Sequence, residues 1–154
     1  MATWQFDLYI VPRGFTGTLD TIDGAWTDAQ PNATWRPALD SLLPTFSSWH
    51  TDLEVWGSDV GHRVDVWTEE GRLRSILVRI DARQQAHDLA AYCRQLVAFV
   101  RTCGDAVLWS PSGFAVPPDA TQLSNALQGS AAWRFVDDPD AFFRRIAIGG
   151  PEDG

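Results

Sequence analysis

Residues 62–104, HRVDVWTEEGRLRSILVRIDARQQAHDLAAYCRQLVAFVRTCG, decide the fold of this chain. In the first half of the stretch two runs alternate between apolar and polar residues, which is the period of a half-buried β-strand. Gly71 lies between the runs and can take the positive φ that closes a short hairpin. A three-residue loop would set Val64 opposite Ile76 and Asp65 opposite Ser75. This register predicts an apolar face of Val64, Val66, Ile76, Val78 and Ile80, and a polar face of Arg63, Asp65, Trp67, Ser75, Arg79 and Asp81.

The second half of the stretch predicts one long amphipathic helix. Apolar residues recur at steps of three and four from Ala86 to Cys103, which is the spacing of one helix face. Asp81 and Gln84 resemble a capping box, so we expect the helix to begin directly after the second strand. Gly104 is expected to end it. The apolar stripe of this helix is then expected to cover the Val/Ile face of the hairpin.

The rest of the chain predicts shorter elements around this centre. The other expected strands are residues 4–11, 51–56 and 106–109, with residues 133–136 as a last strand or an extended link. The other expected helices are residues 18–26, 37–43, 119–127 and 138–146. This order predicts the α+β class: a mainly antiparallel sheet of about five strands with one long amphipathic helix and several short helices packed on it. Residues 1–148 are expected to form a single domain and residues 149–154 a flexible tail.

Composition narrows the class of partner. The formal net charge of the 154 residues is −8, and the twelve basic side chains are all arginine, a usage typical of a GC-rich bacterial genome. Negative charge disfavours nucleic acid and anionic membrane as partners and is compatible with a basic protein. The sequence has no run of about 18 apolar residues and no signal-peptide pattern, so we expect no membrane span and a cytoplasmic location.

The two cysteines point to the same compartment. Cys93 and Cys103 fall on the predicted long helix, about 15 Å apart at the helical rise of about 1.5 Å per residue. That distance is too long for a disulfide, so both are expected to be buried, reduced thiols. Reduced thiols are typical of a reducing compartment.

The sequence carries no strong catalytic or metal-binding motif. It lacks H-E-x-x-H, paired C-x-x-C, the Walker loop and G-x-G-x-x-G. Asp20 to Gly24 begins like a calcium loop but lacks the ligand spacing and the terminal glutamate of an EF-hand. The three histidines are scattered without ligand spacing. We therefore predict no catalytic residue, no metal ligand and no cofactor, and the chain is expected not to be an enzyme.

Two groups of residues are candidates for binding a partner or ligand. If the first strand joins the sheet, its polar residues extend the polar face of the hairpin, giving Asp7, Tyr9, Arg63, Asp65, Trp67 and Arg79. The second group is the acidic segment with Asp20, Asp23 and Trp26. The structural alternatives are cross-strand ion pairs, or cover by the C-terminal helices, for the first group. For the second they are helix caps and turns.

Three hypotheses of function follow. The first is a non-enzymatic, protein-binding module, in its concrete form an immunity protein or inhibitor that neutralises a basic toxin. Small size, acidity and the eight tryptophans favour it, since tryptophan is enriched at binding hot spots. The second is a small-molecule-binding protein or minor enzyme with a tryptophan-lined pocket. The third is a structural or self-associating domain, because the sequence leaves the oligomeric state open.

Overall fold

The computed structural model describes residues 3–147. The strands in this range form one antiparallel sheet. Its seven strands are β1 Gln5–Pro12, β2 Thr45–Phe46, β3 Leu53–Gly57, β4 Arg63–Glu69, β5 Arg72–Asp81, β6 Ala106–Trp109 and β7 Ala115–Val116. Their spatial order is β2-β3-β4-β5-β1-β6-β7. The first strand therefore lies beside the central hairpin, as the polar-face hypothesis requires.

Six helices accompany the sheet in the described part of the chain. They are a 3₁₀ helix at Leu19–Gly24, α1 Trp35–Leu42, α2 Ala86–Thr102, α3 Ala120–Gln128, α4 Ala131–Asp137 and α5 Pro139–Ala147. The α+β class is confirmed, but the strand count is seven instead of about five. The strand β2 has two residues, which is too short for an alternating pattern to show in the sequence. The strand β7 lies within residues 114–116, which the sequence suggests only as a continuation of the strand at 106–109. Among the helices described, none has the length and apolar content needed to cross a lipid bilayer.

The central hairpin has the predicted faces but a different register. Val64 pairs with Val78 and Val66 with Ile76, two residues away from the expected pairing. The turn is the two-residue Glu70-Gly71, with φ of 52° and 78°, and a bulge follows Trp67. Both residues of a type I′ turn need positive φ, which gives the hairpin its tight closure. A shift of two residues is one full pleat, so the residues of the two predicted faces keep their sides. Beyond the bulge the register differs by one residue, and Leu73 therefore lies in the main core.

Two boundaries around the helices were wrong. The helix α2 begins at Ala86, because Asp81 accepts hydrogen bonds from the backbone and side chain of Arg83 and so closes a turn before the helix. Residues 133–136 belong to α4, whose N-terminal Ser130 accepts a hydrogen bond from the backbone N–H of Trp133. The predicted helices 119–127 and 138–146 are confirmed, and their first residues, Asp119 and Asp138, accept hydrogen bonds from the backbone N–H of Gln122 and Ala141. The predicted tail at residues 149–154 lies outside the described residues.

The main core lies between one face of the sheet and helices α1 to α4. Leu8, Ile76 and Val78 of the sheet are fully buried with Leu96 of α2 and Leu123 of α3. Burying such side chains contributes roughly 1.5–3 kcal/mol each, before the cost of ordering the chain. The C-terminal helices α3 and α4 thus pack on the same face as α2, and α5 packs on α4. They do not cover the polar face.

The free cysteines Cys93 and Cys103 are both buried. Burial raises the pKa of the Cys93 thiol, and it raises that of Cys103 to about 12. Both thiols therefore remain protonated at neutral pH.

The segment between β1 and α1 covers one end of the opposite face. Ile22 of the 3₁₀ helix packs in a second apolar cluster with Val11, Val107 and Trp109. The segment then turns to the core side, where Trp26 is buried. This leaves the β3–β4 end of the polar face open beside the 3₁₀ helix.

Candidate functional site

The six sheet residues predicted from the sequence lie on one face. Asp7 pairs across strands with Arg79, Arg63 also pairs with Arg79, and Trp67 pairs with Ser75. Tyr9 and Asp65 both lie opposite Leu77, from its two neighbouring strands. The sequence therefore places this set correctly on the surface away from helices α1 to α4.

Most of the charged members of this set pair with one another. Arg63 donates to Asp65 and to Asp59, each at 2.6 Å. Arg79 lies 3.7 Å from Asp7, measured from Nε to Oδ1. These ion pairs neutralise the two arginines that the register places opposite each other, which is the structural alternative anticipated for this face.

The Asp7–Arg79 pair is the longest of these contacts, and only 7% of the Asp7 side chain is exposed. Burial raises the pKa of Asp7, and the nearby Arg79 guanidinium offsets only part of that effect. Burial and the charge of Asp7 also raise the pKa of Tyr9. Neither Asp7 Oδ1 nor Arg79 Nε has a hydrogen-bond partner among the described residues. The polar groups of this pair are therefore poorly hydrogen-bonded, and Asp7 offers little surface to a partner.

The acidic segment divides into three different environments. Asp20 is exposed on the 3₁₀ helix, and Asp23 lies at the edge of a groove. Trp26 is only 2% exposed, and its indole N–H donates to the carbonyl of Ile10 at 2.9 Å. The expectation that Trp26 contacts a partner is corrected by this burial, since the ring belongs to the core.

An open groove lies on the polar face between the 3₁₀ helix, the loop before β3 and the tip of the central hairpin. We call it the acidic groove, with a volume of about 490 Å³, and it is lined by Asp23, His50, Asp52, Trp67, Thr68, Glu69 and Arg74. The β4 strand supplies Trp67 to Glu69, and the register irregularity after Trp67 lies opposite Arg74. Two residues predicted from the sequence, Asp23 and Trp67, are thus brought together here.

Aromatic rings form one wall of the acidic groove. Trp67 contacts the rings of Trp49 and His50, with centroid distances of 5.7 and 5.4 Å. The Trp49 and His50 rings are 5.6 Å apart, so the three form a closed cluster. Trp49 remains 75% exposed despite these contacts. An exposed tryptophan held by neighbouring rings presents an apolar surface with little rotamer freedom to lose on binding.

Backbone hydrogen bonds hold the loop that carries Trp49 and His50. The N–H of Asp52 donates to Nδ1 of His50 at 3.0 Å, which places the proton of the neutral imidazole on Nε2. The N–H of Thr68 donates to the carbonyl of Asp52 at 2.9 Å. The first bond closes the loop on itself and the second ties it to β4, so Asp52 is carried to the same wall as Trp67.

The acidic groove has a surplus of negative charge. Three carboxylates, Asp23, Asp52 and Glu69, line it with one guanidinium, that of Arg74. Arg74 pairs with Glu69 at 3.2 Å and donates to the backbone carbonyl of Asp23. Among residues 3–147 the carboxylates of Asp23 and Asp52 have no ion-pair partner. No group of acidic, histidine or cysteine residues in that range is close enough to hold a metal ion.

Several residues of the acidic groove were missed by sequence reasoning. They are the lining residues His50, Asp52, Thr68, Glu69 and Arg74, together with Trp49, whose ring packs against the lining residue Trp67. The available signal was Trp49, a tryptophan within the polar run SSWHTD. Its neighbours follow only from the pairing of Leu53 with Trp67, which a short strand of five residues does not specify in advance.

Comparison of the chain with protein-family models, with curated proteins and with solved structures found no match. The functional argument therefore depends on the acidic groove itself. Aromatic ring faces and carboxylates both attract a cation, the first through the ring quadrupole and the second through charge. The arrangement is suited to binding a positively charged group.

Proposed function

We propose that this protein is a non-catalytic binding module whose acidic groove docks a basic segment of a protein partner. The observation that supports the proposal best is the combination of an exposed Trp49 with the unpaired carboxylates of Asp23 and Asp52. Tryptophan is the residue most enriched at binding hot spots, and unpaired carboxylates attract a basic partner from a distance. The formal net charge of −8 acts in the same direction.

The concrete form of this proposal is a cytoplasmic bacterial immunity protein or inhibitor that neutralises a basic toxin. Inhibition by occlusion needs a rigid surface and complementary charge, and it needs no catalytic group. The closed ring cluster of Trp49, His50 and Trp67 supports such a rigid surface. The buried free cysteines are compatible with a reducing compartment.

The test compares three immobilised forms of the protein in the lysate of its source organism. The first is wild type, and the second carries Asp23→Asn, Asp52→Asn and Glu69→Gln. The third is a control with the same change in charge away from the acidic groove, Asp88→Asn, Asp137→Asn and Asp140→Asn, at exposed helix positions. Captured proteins are identified by mass spectrometry at low and at high salt.

We expect wild type and the control to retain one basic protein that high salt releases, and the groove variant to lose it. Salt dependence is expected because salt screens the exposed charges that speed association with a basic partner. Equal retention by all three forms would overturn the proposal, because the acidic groove would then not be the docking site. Retention of no basic protein by wild type would overturn it as well.

A small-molecule ligand is the second candidate, and the size of the acidic groove favours it. Its volume of about 490 Å³ falls in the range of about 300–1,000 Å³ typical of ligand pockets. The two candidates differ in what a screen of small cationic compounds detects. A small ligand is favoured if a compound quenches tryptophan fluorescence in wild type and Trp67→Ala abolishes the quenching. Arg79→Ala is the control and should preserve the quenching, because Arg79 is not among the lining residues.

A further inference from the structure

We infer that the acidic groove receives the guanidinium group of an arginine from the partner, stacked on Trp49 or Trp67 and paired with Asp52 or Asp23. This inference rests on the proposed function and names the side chain that the partner contributes. The argument comes from the way this chain pairs its own arginines with its own tryptophans.

The first such pairing is at the start of α1. The guanidinium carbon of Arg36 lies 4.5 Å from the centre of the Trp35 ring. The same guanidinium donates to both carboxylate oxygens of Glu54, with 3.2 Å from Nε to Oε1. Arg36 thus combines a ring face with a bidentate carboxylate, the two interactions for which a planar guanidinium is suited.

The second pairing repeats this arrangement where β5 ends beside the start of β1. The guanidinium carbon of Arg83 lies 4.2 Å from the centre of the Trp4 ring. Its Nε and Nη2 donate to the two oxygens of Asp81 at 2.9 and 3.0 Å. Two separate sites in one chain therefore join a tryptophan, an arginine and a carboxylate.

The acidic groove has the tryptophans and the carboxylates of such a site, but its own arginine is engaged elsewhere. Arg74 pairs with Glu69 and with the carbonyl of Asp23. Within residues 3–147 the arginines that lie over tryptophan rings are Arg36 and Arg83, and neither is at the groove. The exposed Trp49 and the unpaired Asp52 thus form an incomplete set that an arginine from another molecule would complete.

Arginine fits this set better than lysine for a physical reason. A guanidinium is planar and weakly hydrated, so it stacks on a ring while its edge donates to a carboxylate. An ammonium is a compact and strongly hydrated charge that cannot do both at once with the same geometry. A preference for arginine over lysine at equal charge is therefore the signature of the proposed site.

The test uses two dye-labelled hexapeptides of equal charge, Gly-Arg-Gly-Arg-Gly-Arg and Gly-Lys-Gly-Lys-Gly-Lys, with fluorescence anisotropy as the readout. The proteins are wild type, Trp67→Leu, Trp49→Ala, and the double variant Asp23→Asn with Asp52→Asn. Trp49→Ala guards against loss of fold in Trp67→Leu, because Trp49 is 75% exposed. We expect wild type to bind the arginine peptide at least about threefold more tightly than the lysine peptide. Each tryptophan variant should lose this preference and keep weak, salt-dependent binding of both peptides.

The outcomes separate this inference from the proposed function. Equal binding of both peptides by wild type, weakened alike in the double carboxylate variant, would overturn the arginine inference and leave a basic partner supported. Arginine preference that persists in both tryptophan variants would also overturn the inference. Binding of neither peptide would overturn it too, and the lysate comparison would then test the proposed function independently.

Discussion

Trp49 meets Trp67 edge to face at one wall of the acidic groove, with 5.7 Å between the ring centroids. The contact joins a loop before β3 to the middle of β4, and the pairing of Leu53 with Trp67 creates it. Edge-to-face pairs of this kind contribute roughly 0.5–1.5 kcal/mol beyond their buried area. The contact holds an exposed tryptophan in one orientation against the lining residue Trp67, and the binding proposal depends on that orientation.

Trp49 and Trp26 should respond in opposite ways to truncation. Trp49→Ala should change the free energy of unfolding by less than about 1 kcal/mol, because most of the ring is exposed. It should weaken binding of the arginine peptide by about threefold or more. Trp26→Ala should cost about 3–5 kcal/mol, because it leaves a cavity in the core and removes the hydrogen bond to Ile10. Urea unfolding and peptide titration of both variants measure the difference, and a large loss of stability in Trp49→Ala would contradict the assignment.

Removing Arg74 should make the acidic groove a better site for a cation. Arg74→Ala frees the carboxylate of Glu69, so the arginine peptide should bind about two- to threefold more tightly at low salt. Stability should change by less than about 1 kcal/mol, since exposed ion pairs contribute little. Arg72→Ala is the matched control, because Arg72 donates to the carbonyl of Thr27 and does not line the groove. Weaker binding by Arg74→Ala alone would show that Arg74 shapes the site instead of competing for it.

His62 should make the protein less stable as the pH falls below neutral. Its ring stacks on Tyr92 at 3.8 Å between centroids, and its Nδ1 accepts a hydrogen bond from the N–H of Asp81. Burial lowers the pKa of His62 below its ordinary value of 6.5, and the charge of Asp81 only partly opposes that effect. As the pH falls, His62 is therefore protonated in the unfolded chain at a higher pH than in the folded protein. The stability is fully present above pH 6.5 and is lost as the pH falls from there towards the lower pKa of the folded state.

The measurement is urea unfolding of wild type and His62→Gln between pH 7.5 and 5, a range that includes the titration of the unfolded histidine at pH 6.5. The glutamine keeps an acceptor for Asp81 but does not titrate in this range. The variant should lack the part of the pH dependence that His62 contributes. Parallel curves for the two proteins would show that the His62 ring is accessible to protons in the folded state.

The buried thiols should be unreactive in the native protein. Burial raises the pKa of both Cys93 and Cys103, so the reactive thiolate is scarce at neutral pH and a reagent cannot reach it. Ellman's reagent should modify both cysteines only as fast as the protein unfolds. Rapid modification of either thiol in the absence of denaturant would contradict the packing of α2 against the sheet.

The sequence predicts the centre of the fold well because the centre is regular. Alternation over β4 and β5 specifies the face of most side chains, even though the shorter turn and the bulge after Trp67 together move the pairing by two residues. A local helix cap such as Asp119 can also be predicted from the sequence, since the capping hydrogen bond spans only three residues. Asp81 misleads because its carboxylate has a stronger local partner in Arg83 than the start of a helix provides.

The candidate site was predicted only in part because it is made by contacts between distant segments. Asp23 and Trp67 were both recognised, but no pattern in the sequence places them on one groove. The groove depends on the path of the segment after β1, in which Ile22 covers one end of the polar face and Trp26 enters the core. Composition therefore identified tryptophan and acidity as important, whereas the fold selects which tryptophan is exposed.

The most direct test of the acidic groove is the response of the indole N–H signals in a two-dimensional NMR spectrum. The protein has eight tryptophans, and individual Trp→Phe variants assign their signals. On addition of the Gly-Arg hexapeptide we predict saturable shifts for Trp49 and Trp67, while the signals of Trp4 and Trp35, which lie beneath arginines of the same chain, stay in place. Unchanged signals for Trp49 and Trp67, or shifts confined to other tryptophans, would contradict the proposal that a basic partner docks in this groove.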